Sequence, residues 1–191
     1  MKKILIFCMI LFGFLTMKAE YFDEMSFMKN VNPKITTRTM RIIKESVDEN
    51  FYLVSDTLTK KQIYMIMANE SHFKQNAVGK NNSGYNDKGL FQINKETYYH
   101  MVKSGTIKDE WSKIFVAKYN IRIGMLLLNS KIKTVKNKVP IKNEKHLPLM
   151  VLIAYNKGVG GLLNDINDGR EDFHNFKYIK NLLRFKKYIV F

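Results

Sequence analysis

One glutamate, Glu70, has the surroundings of a residue that moves protons. It follows Ile63, Ile66 and Met67 at separations typical of one helix face, so a helix over this stretch places Glu70 beside apolar side chains. A carboxyl on such a face is costly to bury when charged, so its pKa rises and it keeps a proton near neutral pH. This position meets a general acid's requirement, but for a glutamate taken alone the commoner case is an exposed or lysine-paired residue in a helix's last turn, so the surrounding sequence must decide.

Four short motifs lie in a fixed order around and after this glutamate. They are Glu70-Ser71-His72-Phe73, Gly89-Leu90-Phe91-Gln92-Ile93-Asn94, Asn120-Ile121 with Gly124 and Leu127-Leu128, and Ala154-Tyr155-Asn156-Lys157-Gly158. They resemble the Glu-Ser-x-Phe, Gly-Leu-Met-Gln, central-helix and Ala-Tyr-Asn-x-Gly motifs of the soluble lytic transglycosylase domain family, which shares its fold with goose-type lysozymes. Phe91 stands where the family usually has Met. Each motif alone is a weak signal, but their order across residues 57–188 is specific.

This resemblance implies a mainly α, lysozyme-like fold with a helical core and a substrate cleft. It also implies cleavage of the β-1,4 bond between N-acetylmuramic acid and N-acetylglucosamine, ending in a 1,6-anhydro sugar without added water. A protonated Glu70 would donate to the glycosidic oxygen and then accept the proton of the C6 hydroxyl. By the same resemblance, Ser71 and Gln92 would bind sugar in the cleft, and Tyr155 and Asn156 would position Glu70 and the acetamido group; capping and core packing are their alternative roles. Gly89 would let the backbone pass close to the sugar, unless it only marks a helix end.

A second catalytic acid is harder to find. Ordinary glycosidases pair two carboxylates about 5 to 9.5 Å apart. Asp87 is the only candidate near the motifs, but Asn86-Asp87-Lys88 is also ordinary turn chemistry, and we favour the turn. The substrate's N-acetyl group is then the expected helper. The four histidines lack metal-ligand spacing, so we predict no cofactor and no metal.

Helical periodicity accounts for most of the chain. It predicts a helix over residues 35–51, capped by Thr36 or Thr37, and a second that starts near Thr57 or Thr59 and contains Glu70. Asn, Gly and Ser predict a surface loop over residues 74–88. Further helices are predicted over residues 90–102, 111–133, 147–164 and 172–188. No repeat or long linker divides this part of the chain.

The amino terminus has the pattern of an export signal. Met1-Lys2-Lys3 precedes an apolar run over residues 4–15, so we expect residues 1–19 to be a signal peptide and residues 20–191 to be one domain. The run is shorter than the roughly 20 residues of a membrane-spanning helix, so no stable membrane span is expected. The only cysteine, Cys8, lies inside this segment, which excludes disulfides and thiolate chemistry from the remainder. The protein is expected in the periplasm or cell envelope.

The net charge of +15 favours polyanionic partners, although lysines that only solvate helix faces explain it equally well. Peptidoglycan glycan strands are the expected partner, and export argues against nucleic acid. The loop before Gly89 is most similar to transglycosylases that serve secretion systems, so a flagellar or secretion machine is a further candidate partner. The alternatives are a hydrolytic muramidase of the goose-lysozyme kind, a non-catalytic wall-binding assembly protein and, on charge alone, a nucleic-acid binder.

Overall fold

The helical patterns of the sequence dominate the architecture. The computed structural model describes residues 22–79 and 86–188, and within these ranges the fold is mainly α-helical, as predicted. The α-helices there are α1 Glu24–Val31, α2 Thr37–Asn50, α3 Lys60–Ser71, α4 Lys95–Lys103, α5 Ala117–Lys138, α6 Leu147–Asn167 and α7 Lys177–Leu183. The expected signal segment 1–19 and the turn cluster 81–84 lie outside the described residues.

Side-chain caps fix where the early helices begin. The Thr36 hydroxyl accepts a hydrogen bond from the Thr39 amide and so caps α2. Thr59 and Gln62 form a reciprocal capping box at the start of α3. The prediction of Thr36 as a possible cap is confirmed, and α3 begins directly after Thr59, one of the two positions near which its start was predicted. The same chemistry begins α1 at Asp23, a helix that the sequence interpretation did not predict.

The two longest helices, α5 and α6, form the centre of the core. The two helices pack against each other, and α5 also packs against α2. The facing side chains are fully buried, among them Ile43 of α2, Leu128 of α5 and Val151 of α6. The shorter α7 packs against α3 and α6. This arrangement sets the carboxyl end of α3, where Glu70 lies, against α7.

A small antiparallel hairpin lies between α3 and α4. Its strands are β1 Val78–Gly79 and β2 Asp87–Lys88, with Val78 opposite Lys88 and Gly79 opposite Asp87. A further bridge joins Lys88 to Ile93. The sequence interpretation predicted a loop over this region and missed the two short strands, which are too short to show alternation of apolar and polar residues.

Two predicted helix starts were too early. The helix predicted from residue 90 begins at Lys95, because Gln92 has a left-handed φ of 47° and Asn94 caps α4 with its side chain. The helix predicted from residue 111 begins as a short 3₁₀ turn, Trp111–Lys113, and α5 starts only at Ala117. Apolar residues in both lead-in segments pack into the core and mimic a helical pattern without forming one.

The carboxyl-terminal helices also differ in detail. The helix predicted over residues 147–164 extends to Asn167, but Gly158 interrupts it with φ 79° and ψ 161°. The segment predicted as one helix over residues 172–188 consists of the 3₁₀ turn Phe173–Asn175, α7 and the 3₁₀ turn Arg184–Tyr188. None of the helices in the described ranges is both long and apolar enough to cross a lipid bilayer.

Candidate active site

Glu70 lies in the last turn of α3, at the edge of the core. The residues before it, from Ile63 to Ala68, are all buried, whereas Glu70 is half-buried. The helix ends directly afterwards because His72 and Phe73 adopt left-handed backbone conformations, and Phe73 turns back into the core. Glu70 therefore lies on the apolar side of its helix, as predicted.

The Glu70 carboxyl has two side-chain partners. Its Oε1 atom accepts a hydrogen bond of 2.8 Å from the Tyr178 hydroxyl and a longer one of 3.4 Å from the Asn69 side-chain amide. Burial raises the pKa of Glu70, these two hydrogen bonds oppose the rise, and the negative charge of Asp87 adds to it. The net direction is upward, so the carboxyl holds its proton to higher pH than an ordinary glutamate.

A cavity of about 340 Å³ opens beside this carboxyl. Five different elements and the turn before α4 contribute to its wall. The lining residues are Glu70, Asp87, Gln92, Asn94, Thr97, Leu127, Lys131, Tyr155, Asn156 and Gly158. Four of the six residues predicted for the site, Glu70, Gln92, Tyr155 and Asn156, therefore line one cavity, although 86 positions separate the first from the last.

Gln92 joins the backbone segments that frame the cavity. Its side-chain amide donates hydrogen bonds to the carbonyls of Ala77, at 3.2 Å, and Gly89, at 2.8 Å. Its side-chain oxygen lies so close to Gly79 that a Cβ there would meet it at 2.4 Å. Gln92 thus fixes the hairpin to the turn before α4. Its location in the wall is compatible with sugar binding, while its amide hydrogens are already used by the protein.

Tyr155 does not hold Glu70 directly. Its hydroxyl donates a 2.6 Å hydrogen bond to the carbonyl of Phe91, which ties α6 to the turn before α4. Burial raises the pKa of Tyr155 well above its ordinary value, and the nearby charges of Glu70 and Asp87 act in the same direction. Asn156, the next residue, is exposed at the mouth of the cavity. Asn156 also borders a larger neighbouring cavity of about 550 Å³, which Tyr178 helps to line.

Ser71 and Gly89, the other two predicted site residues, do not line the cavity. Ser71 is buried, and its hydroxyl donates to the Met67 carbonyl one turn earlier in α3. Gly89 is also buried and has φ 79°, and a Cβ there would meet the Asn120 amide at 2.2 Å. Both residues therefore lie behind the wall, where they support its backbone.

Asn120 explains why the turn around Gly89 has its shape. It is fully buried, and its side chain donates to the carbonyls of Lys88 and Ile114 while accepting from the Phe91 amide. Gly124, one turn later in α5, leaves room for the Phe91 ring, which a Cβ would meet at 2.3 Å. The Asn120 and Gly124 motif of the central helix thus holds the second motif in place.

Asp87 lies inside the site and not in a turn, which corrects the interpretation we favoured from sequence. It belongs to β2, lines the same cavity as Glu70, and accepts a 3.0 Å hydrogen bond from the Asn94 side chain. Its carboxylate adds negative potential at both Glu70 and Tyr155. The strand pairing between Asp87 and Gly79 brings it there.

Tyr178 and Lys131 are two of the site residues that sequence reasoning missed. Tyr178 is buried beside Ile179 and Leu182 on α7, and its burial raises its pKa well above the ordinary value. A tyrosine on an apolar helix face needs a partner for its hydroxyl, which is a signal that the sequence contains. It does not reveal that the partner is a carboxyl 108 positions earlier.

Comparison with known protein families places the chain in one of them. The family model described as the transglycosylase SLT domain matches residues 50–176, which is more than half of the chain. The match contains α3 to α6 and ends directly before α7. All four sequence motifs lie within the matched range. No curated protein matches the chain. Within the described ranges, no group of three or more His, Cys, Asp or Glu side chains is arranged to hold a metal ion.

Proposed function

We propose, from the premise that this chain belongs to the transglycosylase SLT domain family, that it cleaves the β-1,4 bond between N-acetylmuramic acid and N-acetylglucosamine and forms a 1,6-anhydro sugar. Members of this family act on peptidoglycan in the cell envelope, and the general activity is peptidoglycan cleavage of the lytic transglycosylase type. The observation that carries the proposal is the half-buried Glu70, whose pKa is raised beside a sugar-sized cavity.

The first step uses the proton of Glu70. The protonated carboxyl donates it to the glycosidic oxygen while the bond from that oxygen to C1 of muramic acid breaks. The carbonyl oxygen of the substrate's own N-acetyl group attacks C1 and bears the developing positive charge, in place of a second protein carboxylate. Glu70 is left as a carboxylate, and the Tyr178 hydroxyl stabilises this charge because it donates to Oε1.

The second step returns the proton. The Glu70 carboxylate accepts the hydrogen of the C6 hydroxyl, and the C6 oxygen attacks C1 to form the 1,6-anhydro ring as the acetamido oxygen leaves. Bonds and protons balance, and no water is consumed. The position of Asn156 supports this proposal. Its side chain is exposed, and it lines the same cavity as Glu70 and Tyr155. We assign to it the orientation of the acetamido group.

A hydrolytic muramidase is the second candidate, and Asp87 favours it. Glu70 and Asp87 line one cavity, and two carboxylates on one cavity are the usual equipment of hydrolytic glycosidases. In that case Asp87 would activate water or stabilise C1, and the product would carry a reducing end. A non-catalytic wall-binding role is the third candidate, which the net charge of +15 favours because an anionic wall attracts a basic protein without any catalysis.

Product analysis separates the three candidates. Purified peptidoglycan is digested with the protein and with Glu70→Gln, and the fragments are weighed by mass spectrometry. We expect fragments from the wild-type protein to be lighter by one water than reducing-end fragments, and no fragments from Glu70→Gln. Reducing ends would replace the proposal with the muramidase. Equal failure of both proteins to cut, with both bound to the wall, would leave only the binding role.

Export is part of the same proposal. Residues 1–19 have the layout of a secretory signal, and a peptidoglycan substrate lies outside the cytoplasm. We propose that this segment directs the chain to the periplasm or cell envelope. Amino-terminal sequencing of protein recovered from the envelope tests this, because a start near residue 20 supports export, whereas an intact Met1 on protein confined to the cytoplasm contradicts it.

A further inference from the structure

Lys131 is a half-buried cation in the wall of the Glu70 cavity. It lies on α5, one turn after Leu127, and both residues line the cavity. Its neighbours Leu128 and Ile132 are buried in the core, so Lys131 lies at the border between the apolar core and the cavity. The other four lysines of α5 are exposed instead, namely Lys118, Lys133, Lys136 and Lys138.

Among residues 22–79 and 86–188, no group compensates this charge. Lys131 makes no ion pair or hydrogen bond with any residue of the described chain, whereas half-exposed Lys60 and Lys157 each contact an aspartate. Burial alone lowers the pKa of Lys131, with no carboxylate acting against it. A cation withdrawn from water without a counter-charge is costly, and proteins seldom keep one unless a ligand completes the pair.

The two acids of the cavity do not serve as its partner. Glu70 keeps its proton to raised pH, and the groups that influence its pKa are Tyr178, Asn69 and Asp87, not Lys131. Asp87 is held by the Asn94 side chain on the hairpin side of the cavity. The ammonium of Lys131 is therefore available to a negative group that enters with the substrate.

We propose that Lys131 binds a carboxylate carried by the muramic acid side of the glycan, and so selects muramyl over glucosaminyl sugars. This inference rests on the proposed function, since it places peptidoglycan in the cavity. N-acetylglucosamine carries no acid, whereas muramic acid carries a lactyl group that either ends in a free carboxylate or continues into a stem peptide with carboxylates of its own. Both sources offer the same chemistry to an ammonium group.

The test measures binding without turnover, in the Glu70→Gln background. Three tetrasaccharide probes are titrated: one of alternating N-acetylglucosamine and muramic acid with free lactyl carboxylates, the same glycan with stem peptides, and a chitin tetrasaccharide. We expect Lys131→Met to raise the Kd of at least one muramyl probe by roughly tenfold and to leave the chitin probe unchanged. An effect on the first probe alone identifies the lactyl carboxylate, and an effect on the second alone identifies the stem.

Lys133→Met is the matched control, because Lys133 is exposed on the same helix and does not line the cavity. It should leave all three Kd values unchanged. Methionine keeps most of the apolar stem of lysine, and thermal unfolding of both variants verifies that they fold. An equal loss for all probes, or no loss for any, overturns the role of Lys131. Wild-type protein that fails to cleave peptidoglycan overturns the proposed function instead, so the two failures are distinguishable.

Discussion

Burial and three neighbouring side chains shift the pKa of Glu70, and they act in opposite directions. Burial and the charge of Asp87 raise the pKa of the carboxyl, and the hydrogen bonds from Tyr178 and Asn69 lower it. A general acid works best when its pKa lies near the operating pH. The opposing effects of Asp87 and Tyr178 therefore predict opposite responses when each is removed.

Tyr178→Phe removes a hydrogen bond that favours the charged carboxyl, so the pKa of Glu70 rises further. Because the reaction starts from protonated Glu70, the alkaline limb of the kcat/KM profile should move to higher pH. We expect kcat itself to fall about tenfold, since the carboxyl loses the donor that positions it and stabilises its charge. Tyr52→Phe, at an exposed tyrosine, is the control. An unchanged limb, or one displaced to lower pH, would contradict this assignment.

Asp87→Asn removes a negative charge that raises the pKa of Glu70, so the same alkaline limb should move to lower pH. In a mechanism with one protein carboxylate, the rate at the optimum should stay within about tenfold of wild type. Loss of a general base would instead cost roughly 10² to 10⁴ in rate. The measurement is the pH dependence of kcat/KM, with exposed Asp56→Asn as the control. A loss of the larger kind would favour the hydrolytic muramidase.

The short motifs of the sequence bring together part of the candidate site. Glu70, Gln92, Tyr155 and Asn156, each of which lies in one of these motifs, line one cavity, and their roles toward a substrate stay a prediction. Sequence reasoning did not locate Tyr178 or Lys131, because each reaches the site through tertiary packing of a helix whose local pattern indicates only an apolar face. Asp87 was noticed but interpreted as a turn residue, since a strand of two residues leaves no alternating pattern to detect.

At the scale of elements, the turn from Lys88 to Ile93 decides the geometry of the site. Its backbone is held by Asn120, by Gln92 and by the paired amides and carbonyls of Lys88 and Ile93. Apolar residues 90, 91 and 93 suggested a helix start in the sequence, but they are buried in a turn. Periodicity does not distinguish these two uses of apolar residues over so few positions.

The interruption of α6 at Gly158 is the second such element. Gly158 lines the cavity directly after Asn156 and Lys157, and Lys157 contacts the buried Asp165 of the following helical segment. Arg170 contacts the same carboxylate at 3.0 Å. The Lys157–Asp165 ion pair joins the two segments of α6 across the break, whereas Arg170 follows the end of the helix and contacts Asp165 from the carboxyl-terminal side.

Gly158→Ala tests this break. With φ 79° and ψ 161°, the position is strained for any residue with a Cβ, although a Cβ there would meet no other atom. We expect the free energy of unfolding to fall by about 1 to 3 kcal/mol. Gly160→Ala is the matched control, because it lies two residues later in open space and in helical conformation.

The control should stabilise the protein slightly, by up to about 1 kcal/mol, since alanine favours helix over glycine. Denaturant unfolding of the two variants measures both effects. Equal responses at the two glycines would contradict the proposed special role of the Gly158 backbone.

At the scale of the whole molecule, the net charge of +15 is the property that acts over distance. Peptidoglycan carries carboxylates, so a basic protein is attracted to it before any specific contact forms. Salt screens this attraction, with a Debye length of about 10 Å at 0.1 M and about 3 Å at 1 M. The charge alone did not identify the substrate, because a nucleic acid would attract the same surface.

Retention on purified cell walls should therefore depend on salt. We expect the Glu70→Gln protein, which cannot cut the wall, to pellet with it at 0.05 M salt and to be released by 1 M salt. Lys131→Met should change this profile little, because one lysine among 32 basic residues contributes little to the long-range field. Retention that is indifferent to salt would mean that specific contacts, and not the basic surface, hold the protein on the wall.

The most direct test of the central claim is an NMR titration of the Glu70 carboxyl. The protein is labelled with carbon-13 in its glutamate side chains, and the Glu70 resonance is assigned as the one that is missing from the spectrum of Glu70→Gln. The account predicts that this resonance titrates clearly above the ordinary glutamate value of 4.5, in the direction set by its burial and by Asp87. A Glu70 that titrates at or below 4.5 would contradict the account, because the site would then contain no proton to give to the glycan.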